Sequence, residues 1–377
     1  MPVITVKKEK GKDHLLLDPV GIPVKTVSQK LYLVQLLRGI ASLLVLLKHT
    51  TVLVKVKMGS FFLGGIFAFG GSGVDIFFVL SGFIITYTSM KALNNPSNFV
   101  GFLRRRFIRI FIVYWIITSI FLLLQQLLPS FYNSLYEYSI FNVLSTYLLL
   151  PEHTMVNGVS WSLSNEVFFY FLFSLAFIIR QKRLLWILSA AYLLLLIILP
   201  LSGFNPETSN KWIRLAIMPM NIDFFMGILA ALVIPKLPSR FSIPLIILGI
   251  VLFVVSAIYF SNGNSMENYF RRVLLFGIPS FLIITGIVSY ELNKMVKVPG
   301  ILVSLGEASY SLYLLHLPVM AAGVGILAKL NLQAGMAIHA AVIVLLIGVC
   351  LGSILFFKWI EKPLISRLNR TGTKLKI

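Results

Sequence analysis

Apolar runs of about twenty residues recur from one end of this 377-residue chain to the other. A run of that length crosses the hydrocarbon of a bilayer as a helix, and a chain built from many of them has no water-facing core in which to hide them. Composition agrees, with 58% hydrophobic residues against 12% charged ones, about half the charge of a soluble domain. The expected class is therefore all-α and polytopic. Ten helices are expected over 31–54, 72–90, 107–128, 164–180, 184–200, 214–234, 243–260, 272–290, 309–328 and 336–358. The stretch Ile140–Leu150 is too short to span and reads as a re-entrant or interfacial piece of the 129–163 connection. Residues 1–30 form a polar, lysine-rich tail without an apolar signal core, 31–360 the membrane domain, and 361–377 a second basic tail.

The net charge of +20 would suggest nucleic acid in a soluble protein, but in a membrane chain it is read first as topology. If the N-terminus is inside, six Lys/Arg lie in residues 1–30, five in 91–109, three in 180–183, two each near 236–240 and 294–297, and six in 358–377. That side holds 24 and the other eight, and the 129–163 loop has none. The asymmetry puts both termini in the cytoplasm. The single cysteine, Cys350, excludes an internal disulfide and a multi-cysteine metal site. No phosphate-cradling glycine loop or nucleophile elbow is present, so P-loop and soluble serine-hydrolase chemistries have no support.

Ionisable residues within the spans are expensive and so direct attention to function. Arg38 and His49 stand eleven residues apart in the first span, which places them on nearly one helix face about 16 Å apart along the axis. They line one wall at two depths, or else snorkel to the two interfaces. Asp75 and Glu166 are both expected near the outer ends of inward-running spans, at the depth of His49, with Tyr170 one turn below Glu166. A carboxylate beside an imidazole fixes its tautomer and prepares it as a general base; the same residues could instead form a polar network joining helices. On the cytoplasmic side, Arg104, Arg105, Arg106 and Arg109 cluster densely enough to bind a polyanion or to anchor on anionic lipid. Ser309, Tyr313 and His316 recur on one face of the ninth span and could line a channel. Asp223 either faces the same cavity or bonds a neighbouring helix, and His339, with no polar companion, is structural. A proton-coupled transporter or flippase, with His49, Asp75 and Glu166 as its relay, is the rival from another class. It is weakened by the lack of an internal inverted repeat.

Five segments in order resemble the membrane acyltransferase family 3, which includes many bacterial polysaccharide O-acetyltransferases. They are Arg38-Gly39-Ile40-Ala41 with His49, Gly73 through Gly82, Arg105-Arg106 with Arg109, Ser162 through Tyr170, and Ser309 through His316. The resemblance covers about residues 31–370. It implies ten helices around a central acyl-CoA channel in the inner (plasma) membrane of a bacterium, and no metal. It implies acetyl-CoA or another acyl-CoA as cytoplasmic donor and a hydroxyl of an extracytoplasmic glycan or lipid-linked sugar as acceptor. The partners expected are these two substrates and membrane lipid, not nucleic acid. It gives a catalytic role to Arg38 and His49; the expected depth of Asp75 and Glu166 makes one of them the group that orients the imidazole. It gives donor recognition to Arg104, Arg105, Arg106 and Arg109, with Tyr313 and His316 along the path of the pantetheine arm.

Overall fold

The computed structural model describes residues 31–127, 139–151, 156–206, 209–261, 268–330 and 336–373; the basic tail expected over 1–30 lies outside them. Among the described residues every regular element is helical. The first half comprises α1 (Tyr32–Met58), α2 (Gly73–Ser89), α3 (Ser97–Leu127), α4 (Ile140–Tyr147), α5 (Ser160–Ile178), α6 (Lys182–Leu201), α7 (Lys211–Ile217) and α8 (Asn221–Val233). The second comprises α9 (Ser242–Ser261), α10 (Tyr269–Arg272), α11 (Ile278–Asn293), α12 (Gly300–Glu307), α13 (Ser309–Lys329), α14 (Met336–Phe356) and α15 (Lys362–Thr373). Ten helical stretches among the described residues are long and apolar enough to cross a membrane, as the sequence predicts.

Several spans differ from simple rods for local reasons. The sixth is broken into α7 and α8, because Pro219 forces Met218 into extended backbone (φ −61°, ψ 124°). The eighth carries a wide π turn over Val273–Gly277 between α10 and α11. Another π turn, Phe357–Glu361, carries the last span on into α15, so the helix does not stop at 358. The third span begins earlier than expected, at Ser97, and takes the whole arginine segment into its first turns.

We call the end at which α1 begins the lower end and the one at which it finishes the upper. At the lower end the backbone N–H groups of Tyr32 and Leu33, orphans of the first helical turn, donate to the Glu291 carboxylate of α11. At the upper end Gly59 adopts a left-handed cap (φ 72°) and donates to Lys55 O. The chain then turns back down, so that α2 starts well inside the bundle, with Gly73 against the Ala41 carbonyl and Val45.

Two helix pairs are drawn together by small residues. In α2 and α8, which run parallel, a Cβ on Gly82 would lie 2.1 Å from Phe224 O, and one on Gly227 2.1 Å from Val79 O. In the antiparallel pair α9 and α11, Gly249 and Gly286 play the same part, and Ser242 donates to Ser289 at 2.9 Å. Outward, α6 buries only Leu196, while α9 and α14 expose rows of Ile, Leu and Val. Such surfaces suit hydrocarbon and not water.

The short helix α4 packs its last turn against the middle of α3. Tyr114 Oη donates to Thr146 O and Trp115 Nε1 to Tyr147 O, both at 2.8 Å. Tyr114 lies only five residues, about 7.5 Å, above Arg109 on α3. The last turn of α4 therefore dips far below the upper end of α3, and side chains satisfy the carbonyls that the break exposes.

Candidate active site

α1 and α13 run parallel and are joined at two levels. At the lower level Arg38 Nε and Nη2 donate to Ser309 Oγ at 3.2 and 2.9 Å. At the upper level His49 Nδ1 and His316 Nε2 are 2.9 Å apart, their rings tilted by 30°. Arg38 and His49 thus share one face, as their spacing predicts, and that face is turned to the Ser309–His316 stripe of α13. Arg38 and His316 are buried.

Between the levels, Tyr313 Oη and Ser162 Oγ are 2.6 Å apart, linking α13 to α5. Pro318 has no N–H, which leaves Leu314 O without the donor that the helix would supply. Asn157 Nδ2 takes that place at 3.0 Å. The turn that carries His316 is therefore tied to the loop before α5 and to the first turn of α5.

Around Arg38 the lower level is crowded with charge. Arg106 and Arg109, one turn apart on α3, are half-buried and face inward, while Arg104 and Arg105 are exposed. Arg106 lies over the rings of Phe102 and Tyr170 at 5.4 and 5.3 Å, and Arg104 donates to Leu368 O of α15. The four arginines therefore divide into an inward pair and an outward pair. Glu166 accepts from Ser81 Oγ at 2.8 Å and from Tyr170 Oη. Its charge and those of Arg109 and Glu361 act on Arg38.

The expected trio of His49, Asp75 and Glu166 at one depth is not formed. Glu166 lies four residues below Ser162 on descending α5, and Ser309 four below Tyr313 on ascending α13, so Glu166 belongs with Arg38 at the lower level. Asp75 starts α2 one to two turns below His49, and both its oxygens accept from Arg272, with Nη2 at 2.7 Å from Oδ2. Arg272 also donates to Gly71 O at 2.6 Å. The companion of His49 is His316.

Sequence reasoning missed three participants and left the place of a fourth, Asp223, open between two alternatives. Arg272, counted above among outer-loop charges, is a buried ion-pair partner. Asp223 lies beside Asp75 with both carboxylate oxygens buried and bonded to no donor. Glu361, assigned to the C-terminal tail, is buried and accepts from Ser311 Oγ. Asn157 serves Leu314 O. A signal existed for Glu361 alone: helix-forming residues run on past 358 as far as Lys362, before Pro363.

The arrangement offers a cationic lower level, an imidazole pair above it and a tyrosine hydroxyl between. That suits an anionic donor held below and a proton taken above. Comparison with known proteins gives the family. The family model described as an acyltransferase domain matches residues 31–358. The exopolysaccharide production protein ExoZ of Rhizobium meliloti (strain 1021) is 26% identical over 310 residues, 80% of this chain and 91% of the relative. The acyltransferase MdmB of Streptomyces mycarofaciens is 27% identical over 278 residues, 67% of this chain and 69% of the relative. No solved structure matches. With the family model covering most of its length and ten apolar helices to carry it, this chain belongs to the membrane acyltransferase family 3.

Proposed function

We propose that the protein transfers an acyl group, acetyl foremost, from cytoplasmic acyl-CoA to a hydroxyl of an extracytoplasmic or lipid-linked glycan, in the inner membrane of a bacterium. The observation that carries this reading is the stacking of Arg38 and His49 on one face of α1, against one face of α13. Their separation, about 16 Å along the helix, is comparable to the reach of an extended pantetheine arm.

In this reading the lower end faces the cytoplasm. The nucleotide phosphates meet Arg104 and Arg105 at the mouth, and Arg106 and Arg109 within, through charge-assisted hydrogen bonds. Glu166 and Glu361 balance the inward arginines until an anion takes their place. The arm passes Arg38 and Tyr313 and brings the thioester carbonyl to His49. There His49 takes the proton of the acceptor hydroxyl as its oxygen attacks that carbonyl. The C–O bond forms, the C–S bond breaks from the tetrahedral intermediate, and the imidazolium returns the proton to the departing thiolate. The products are an ester and CoA thiol, with no net proton consumed. Holding both substrates along one axis supplies proximity. Asp75, committed to Arg272, acts in this reading on the fold and not on the imidazole.

The test is mass spectrometry of surface glycans from cells carrying wild-type protein, His49→Ala or no protein. O-acyl groups are expected with the wild type alone, while free CoA thiol is released by wild-type membranes only when acceptor is supplied. Wild-type glycan acylation by His49→Ala, at equal protein level, would overturn the assignment of the base. The relatives support the reading: one is named for exopolysaccharide production and the other as an acyltransferase.

A further inference from the structure

We infer that His316 is a positioning residue that fixes the tautomer of His49, so that Nε2 of His49 stands as a bare lone pair toward the substrate. The inference rests on the reading of His49 as general base and names what prepares it.

The argument follows donors and acceptors along a chain of three groups. Leu312 O lies 3.1 Å from His316 Nδ1. A carbonyl only accepts, so Nδ1 of His316 carries a hydrogen, and in a neutral ring Nε2 is then an acceptor. That acceptor faces His49 Nδ1 at 2.9 Å, so Nδ1 of His49 is the donor and Nε2 of His49 has no hydrogen. The Val45 carbonyl, one turn back on α1, is a second acceptor for the His49 ring, in the same i−4 relation that Leu312 O holds to His316. A free imidazole favours the opposite tautomer, with hydrogen on Nε2, which cannot accept a proton there. The pair selects the useful form.

The selector is itself held in place. His316 is fully buried, and its turn is fixed by Asn157 on Leu314 O and by the Tyr313–Ser162 contact. When His49 gains a proton at Nε2, Nδ1–H still donates to His316, so the ring keeps its orientation through the cycle. The charge-bearing groups that act on His49 are His316 and Lys48, and Lys48 in turn faces Arg272 and Asp75.

The experiment uses full-length protein in lipid nanodiscs, labelled with 15N-histidine. The chain has only five histidines, so single variants assign His49. Wild type is expected to show His49 protonated at Nδ1. Protonation at Nε2 alone in the neutral wild-type ring would overturn the inference without any variant. His316→Leu, which removes the acceptor, should move His49 toward the Nε2–H form and lower kcat about 10–100-fold, with KM for acetyl-CoA changed less than about twofold. His316→Gln, whose amide oxygen accepts again, should recover both tautomer and rate. Activity is read as thiol release from acetyl-CoA by membranes bearing the native glycan, on variants matched to wild type in thermal unfolding. An unchanged tautomer or rate in folded His316→Leu would also overturn the inference. A fully active His49→Ala would instead defeat the general-base reading, while the NMR result would still report the tautomer.

Discussion

Arg272 is the residue on which most buried charge converges. It donates to both oxygens of Asp75 and stands beside a second carboxylate, Asp223, that has no donor of its own. Arg272→Met would leave Asp75 without its counter-ion, a loss of the class that costs about 3–5 kcal/mol. Detergent-solubilised protein is therefore expected to unfold at markedly lower temperature. Adding Asp75→Asn should restore part of the loss, because the uncompensated charge goes with it. A double variant no more stable than Arg272→Met would show that the arginine acts through packing alone. The pair also shows where sequence reasoning stops at this scale. Spacing gives the depth and face of each residue within its own helix, which is why Arg38 and His49 were legible. The lateral neighbour is not encoded locally: Asp75 and Arg272 are 197 positions apart.

Among the helices, close approach is set by glycine at the α2–α8 crossing. Gly82→Ala and Gly227→Ala each place a methyl group 2.1 Å from a carbonyl oxygen of the facing helix, which has to withdraw. Overpacking of this kind costs about 1–3 kcal/mol or more. Gly348→Ala and Gly352→Ala, on lipid-facing α14, meet nothing, and alanine there gains up to about 1 kcal/mol of helix propensity. Thermal unfolding should therefore fall for the first pair and hold or rise for the second; equal shifts in both would mean that the crossing tolerates separation. Periodicity and length were enough to find all ten spans, because twenty-residue apolar runs admit little else. The breaks were less legible. Pro219 and Pro318 lie in the sequence for anyone to read, yet one splits a span and the other leaves a helix intact. In both places an asparagine amide serves the carbonyl that the proline frees, Asn157 on Leu314 O and Asn221 on Leu215 O, so that bond alone does not decide which helix breaks.

For the molecule as a whole, parallel packing of α1 with α13 and of α2 with α8 fits a ten-span thread in which odd spans run one way and even spans the other. If both termini lie on the cytoplasmic side, as we propose, a reporter fused after Ile377 and one inserted at Asn95 should each register the cytoplasm. One placed in the connection between α3 and α4 should register the exterior. An exterior signal at Asn95 would put the arginine segment on the wrong side for a cytoplasmic donor.

The Asp75–Arg272 bond also sets an order of assembly during synthesis. A ribosome adding about 5–20 residues per second needs roughly 10–40 s to make the 197 residues between the two partners. Through that interval α2 has left the ribosome while its counter-ion does not yet exist. A half-finished protein therefore carries a second span whose Asp75 lacks this arginine, and Arg38 waits longer still for Ser309, 271 residues later. The bundle therefore closes late, when the eighth and ninth spans arrive. Nascent chains stalled before Asn268 should leave α2 open to proteolysis from the upper side, and chains stalled well after Lys329 should not; equal protection in both would mean that α2 seats without Arg272.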